Sequence, residues 1–252
     1  MSPAMLRRIA TLCLLPAALC PAQETATPPA RQRVSYDEAV KLSPLAHRLA
    51  TCGEDAAGIR TRLQLVLEEM KRDPQLYKVD GLPAPDLSLI PIQVEVGDGR
   101  HTGGTQWAAS NLIVRYRMRF FTAALPEATD EDSRLMREML LNDTLVHELA
   151  HCFFYMRYPK LGLQEDGEGL TICEGHAICA AREFVQRHYF GGATMPDAYY
   201  EQVFLSTRYA AMYREFRTRY LSPQRHMLWQ LIDRMELRFA PAGYTLRLRR
   251  QI

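Results

Sequence analysis

Reactive potential in this 252-residue chain is concentrated at His147-Glu148-Leu149-Ala150-His151. On a helix, residues four apart share a face with Cβ atoms about 6 Å apart, so both imidazoles can reach one Zn²⁺ at roughly 2.1 Å. Glu148 borders that face, where a carboxylate can take a proton from a metal-polarised water without occupying a coordination position. Histidine is scarce, at 7 of 252 residues, and chance would produce the five-residue pattern only about 0.01 times in such a chain. The spacing therefore points to metal-assisted hydrolysis, with His147 and His151 as ligands and Glu148 as general base. It supplies two ligands; a third must come from elsewhere in the chain.

The motif needs a helix, and the surrounding pattern provides one. Leu135, Met139, Val146, Leu149 and Phe153 recur at the spacing of a long amphipathic helix. Thr129 can cap it with Asp132 at the third position, and Pro159 stops it. Upstream, a Ser35/Glu38 capping box opens a helical segment running to about Ala50; a second carries Leu63, Val66, Leu67 and Met70 and stops at Asp73-Pro74. Residues 87–96 and 111–120 alternate at period two and read as strands, with Pro91 putting the first on an edge or at a bulge. Gly97-Asp98-Gly99 and Gly103-Gly104 supply turn residues between them, so the two are expected to pair antiparallel. Downstream, an acidic glycine-containing loop at 165–169 precedes helices at about 172–190, 197–220 and 223–238, and Tyr244–Ile252 alternates as a short strand would. The expected class is α+β, predominantly helical.

This helix resembles that of the zincin metallopeptidases, whose defining motif is His-Glu-x-x-His. Where metzincins continue to a glycine and a third histidine, this chain has Phe154 and Arg157, so that branch does not fit. Gluzincins take their third ligand from a glutamate on a second helix downstream, often within Glu-Gly-x-Ala; Glu174-Gly175-His176-Ala177, 23 residues after His151, is similar. The resemblance covers roughly residues 100–190. It implies one Zn²⁺ held by His147, His151 and Glu174, with Glu148 catalytic. It also implies a two-lobed fold: a small antiparallel or mixed sheet, the motif helix at the floor of a cleft, and a helical C-terminal lobe. In such folds an upstream strand lines the cleft and pairs with an extended substrate backbone. A downstream Tyr or His commonly stabilises the oxyanion, and Tyr209, Tyr213 and His226 are the candidates here.

Several roles stay open at this level. Thr171 stands three residues before Glu174, so the pair also spells a capping box that would turn the carboxylate away from a metal. His176 and Asp166 are substitutes as third ligand. Thermolysin-like enzymes place an Asp four residues after the ligand Glu to support a ligand histidine; Ile178 stands there, so the support must be built otherwise. Asp143, one turn before His147, could provide it or could be a solvated helix acid. Arg115, Arg117 and Arg119 share one strand face, suited either to acidic groups of a substrate or to solvent.

Composition bounds the rest. Hydrophobic residues make up 47% of the chain, enough for a real core, and a formal charge of +2 gives no field suited to nucleic acid. No apolar run approaches the roughly 18 residues needed to cross a bilayer. Residues 1–22, with Arg7-Arg8, a short apolar run and Pro21-Ala22, read as a secretory signal; 23–33 as a flexible spacer; 34–252 as one domain of two lobes. Loss of the signal would leave 29 of the 31 cations against 29 acids, an exported, periplasmic or secreted protein with no stable membrane span. Cys52, Cys152, Cys173 and Cys179 would remain. Cys173 and Cys179 are roughly 9 Å apart along a helix, too far to bridge. Either Cys152 joins one of them and Cys52 the other, or the thiols are free and buried. The functional expectation is a zinc peptidase acting on a peptide or protein; a zinc-stabilised envelope scaffold without turnover and a zinc amidase on a non-peptide substrate are the alternatives.

Overall fold

Ser43 caps the first helix of the computed structural model, which describes residues 41–110, 113–162, 167–221, 230 and 232–235. The signal, the spacer, the Ser35/Glu38 box, Asp166, His226, the 244–252 strand and most of the 223–238 helix lie outside the described residues. Helix α1, Pro44–Ala50, opens with Pro44 behind Ser43, whose Oγ accepts the Ala46 amide at 3.1 Å. The segment expected to be helical up to Ala50 is therefore not one helix: Lys41 instead forms a parallel bridge with Phe190. Helix α2, Ala56–Arg72, is capped by the Asp55 carboxylate and ends at Asp73, as the sequence indicates.

The sheet departs from expectation. Leu87–Leu89 is a turn of 3-10 helix, followed by β1, Ile92–Glu95, β2, Gly103–Ser110, and β3, Ile113–Phe121. Their order is β1-β3-β2, with β1 parallel to β3 and β2 antiparallel to it. The segments expected as an antiparallel pair run parallel because the chain between them reverses twice: Gly103-Gly104 opens a strand rather than forming the turn. Pro91 immediately precedes an edge strand, where its missing N–H costs no ladder bond.

Helix α3, Glu131–Arg157, begins at Asp130. The Asp130 carboxylate accepts the Ser133 amide at 2.7 Å while Ser133 Oγ accepts the Asp130 amide at 3.0 Å, so the reciprocal cap is one residue later than the expected Thr129/Asp132 pair. After the short α4, Pro159–Gly162, come α5, Gly167–Tyr189, α6, Asp197–Phe204, and α7, Thr207–Tyr220. The single helix expected over 197–220 is broken by extended Leu205, and Ser206 caps its second half.

Helix α3 is the centre of the fold rather than a surface amphipathic helix. From Leu141 to Tyr155 every residue but His147 is buried, Asn142, Asp143, Thr144, Glu148 and His151 included. It packs against α5 on one side, against β2 and β3 on another, and against α2. Met118 and Phe120 of β3 stand opposite Thr105 and Gly103 of β2 on the covered sheet face. Buried Arg62 ties α2 to α3 through two bonds to the Glu138 carboxylate, at 2.7 and 2.9 Å. Cys52, Cys152, Cys173 and Cys179 are all free thiols, the last three buried. No helix among the described residues is long and apolar enough to cross a membrane.

Candidate metal centre and cleft

Helix α3 supplies His147 and His151 from successive turns, and α5 brings Glu174 against them. The two Nε2 atoms are 3.0 Å apart, and Glu174 Oε2 is 3.3 Å from each. Ligands held about 2.0–2.1 Å from a tetrahedral ion lie roughly 3.3 Å from one another, so the triangle has the edge lengths such an ion requires. The donor set, two imidazole nitrogens and one carboxylate oxygen, fits a divalent metal. His151 is fully enclosed, whereas 17% of the His147 side chain remains exposed. Burial alone would push the Glu174 carboxyl up; the two histidines outweigh it and hold the group well below the usual carboxylate range.

Where α5 starts removes the capping role for Glu174. The helix opens at Gly167, and Thr171 Oγ donates to the Gly167 carbonyl at 3.2 Å from inside it, so Thr171 does not cap and Glu174 faces α3. His176 turns elsewhere: its Nε2–H donates to the Lys78 carbonyl at 2.7 Å, and burial holds its pKa down at about 3. Close helix packing completes the wall. A Cβ on Gly175 would lie 2.2 Å from Phe216 Cβ, so only glycine lets α7 sit this near α5.

Beside the triangle is a cleft of about 270 Å³, lined by His147, Glu148, Gly103, Thr144, Ser206 and Tyr209 among others. Glu148 is 4% exposed, and its Oε2 has no hydrogen-bond partner among the described residues. A buried carboxylate oxygen without a donor is costly, which marks this atom as held for a ligand or water. Of the residues considered for an oxyanion, Tyr209 lines the cleft, its ring edge-on to His147 at 6.2 Å. Burial, then the Glu174 and Glu148 carboxylates, push its hydroxyl pKa up, so it is a neutral donor. Tyr213 is spent elsewhere: its hydroxyl donates to Asp197 at 3.0 Å.

Asp143 also lines the cleft but is no solvated acid. It is 8% exposed, accepts the Tyr200 hydroxyl at 2.7 Å, and burial pushes its carboxyl up to about 7. Of the strand arginines, Arg117 is exposed and Arg119 Nε lies 3.1 Å from Glu95, and neither lines the cleft; the Arg115 side chain lies outside the described ones. A larger cavity of about 590 Å³ between α5, α6 and α7 holds none of the triangle, and its Arg182 and Arg217 are both paired with Asp197. The wall of the cleft is not legible in the sequence: Gly103 reads as a turn residue, and its register opposite buried Phe120 is what makes it part of a strand. Comparison with family models, curated proteins and solved structures found no match for the chain.

Proposed function

We propose that the chain is a zinc-dependent hydrolase that cleaves peptide bonds, a zincin-like metallopeptidase of the gluzincin kind. The observation that carries this reading is the His147–His151–Glu174 triangle beside a cleft, with the buried Glu148 Oε2 next to it lacking a donor among the described residues. Zinc held there would supply Lewis acidity, acidifying water to a pKa of about 7 and polarising a carbonyl. Glu148 Oε2 takes the proton of the attacking water and returns it to the departing amine. The Tyr209 hydroxyl donates to the oxygen that gains charge as the carbonyl is attacked. Strand β2 ends the sheet opposite β1 among the described residues, and an edge strand there can pair with an extended peptide, which favours a peptide or protein substrate. The reading of residues 1–22 as a secretory signal supports export of this activity from the cytoplasm.

The test is cleavage of a diverse peptide library by the purified, exported chain. The reading expects hydrolysis that a chelator abolishes and added zinc restores; a zinc-loaded chain inert across the library would contradict it and favour a scaffold or a non-peptide amide substrate.

A further inference from the structure

We infer that Cys173 is a positioning residue that holds His151 in the tautomer able to bind an ion. This rests on the zinc reading above and gives a role to a thiol that is neither a disulfide partner nor a ligand. Its sulfur lies 3.3 Å from His151 Nδ1, while the other ring nitrogen, Nε2, faces Glu174 Oε2 at the same 3.3 Å. Cys173 and Glu174 are consecutive on α5, and successive helical side chains diverge by about 100°. One therefore reaches each nitrogen-bearing edge of the same imidazole. The ring face is stacked on Tyr155, with centroids 5.3 Å apart and planes within 6°. Both Cys173 and His151 are 0% exposed, so no solvent competes for Nδ1.

An imidazole that binds metal through Nε2 must carry its proton on Nδ1, and the group that accepts that proton fixes both tautomer and ring direction. With an ion at Nε2, that proton has the Cys173 sulfur, 3.3 Å away, as its acceptor. Ile178, one turn after Glu174 on α5, brings no acceptor, so the thiol one residue before Glu174 supplies that support, for the histidine that is the more deeply buried of the two.

Chelator competition on the full chain measures the effect directly. Cys173→Ala should weaken zinc binding about 10- to 100-fold, the range expected when such a partner is lost. Cys173→Ser, which keeps an acceptor, should stay within about threefold of the unaltered chain. Cys173→Val fills the space without accepting a proton and should behave as Cys173→Ala does; it serves in its place if the smaller residue fails to fold. Metal-free thermal unfolding of each variant separates packing from positioning. Equal zinc affinity in the Ala or Val variant, or a Ser variant as weak as Ala, overturns the role of Cys173 while leaving the zinc reading intact. Failure of the unaltered chain to bind zinc removes both.

Discussion

The Thr105 hydroxyl donates to the main-chain carbonyl of Glu148 at 3.2 Å, fastening edge strand β2 to the helical turn that carries the proposed base. The approach is close enough that a Cβ on Gly103 would meet Thr144 Cγ2 at 2.5 Å. Gly103→Ala should push β2 off α3. We expect a loss of about 1–3 kcal/mol in urea unfolding, the usual range for overpacking. A midpoint unchanged from that of the unaltered chain would mean that strand and helix are not locked together here.

Glu148 has no place in the ligand triangle, so binding and turnover should separate at this residue. Glu148→Gln removes the proton acceptor while keeping the side-chain shape. It should bind zinc with unchanged stoichiometry and lose at least about 10²-fold in kcat, the lower end for general acid–base catalysis. Full turnover by the zinc-loaded variant would remove Glu148 from the mechanism.

Tyr209 and Tyr213 are a matched pair for testing the oxyanion role, because only Tyr209 lines the cleft. Tyr209→Phe should lower kcat by about 10²-fold with KM little changed, in keeping with the loss of one donor to developing charge. Tyr213→Phe loses a bond to Asp197 and should affect unfolding more than rate. Equal kcat in the two variants would refute the assignment.

Acid should loosen the attachment of α1 to α5 at Ser43. His188 Nδ1 is 2.8 Å from Ser43 Oγ, and its Nε2 lies 3.2 Å from the Tyr77 hydroxyl and 3.3 Å from Glu69. Burial pushes the His188 pKa below its ordinary 6.5, although Glu69 pulls it upward. The unfolded chain therefore protonates this ring first. Its contribution to stability is complete above about pH 6.5 and declines as the pH falls below that. Urea midpoints between pH 7 and pH 5 should drop more for the unaltered chain than for His188→Gln; parallel slopes would rule out His188 as the source.

The candidate metal face is legible because it is local: two histidines four apart define a helix face whatever packs against it. Glu174 was legible only through the resemblance, and its rival role as a cap disappeared because α5 begins at Gly167, before the segment where a start signal was read. What the sequence concealed depends on neighbours distant along the chain. Asp143 looks like a surface acid at helical spacing until α5 and α6 cover it, with Tyr200 reaching its carboxylate. Strand β2 has no period-two alternation in Gly-Gly-Thr-Gln-Trp-Ala-Ala-Ser, and its conformation comes from pairing with β3. The Asp130/Ser133 cap competes with Thr129/Asp132 at a shift of one residue, a choice made by side-chain geometry rather than by residue type.

Metal analysis of the purified chain beside its Glu174→Ala variant reads out whether two imidazoles of α3 and the carboxylate of Glu174 grip one divalent ion. The unaltered chain should carry one equivalent of zinc, and the variant should fold yet lose the ion to a competing chelator. A chain that purifies and dialyses free of zinc, or a variant that retains it with equal affinity, would mean that these three residues do not form a metal site.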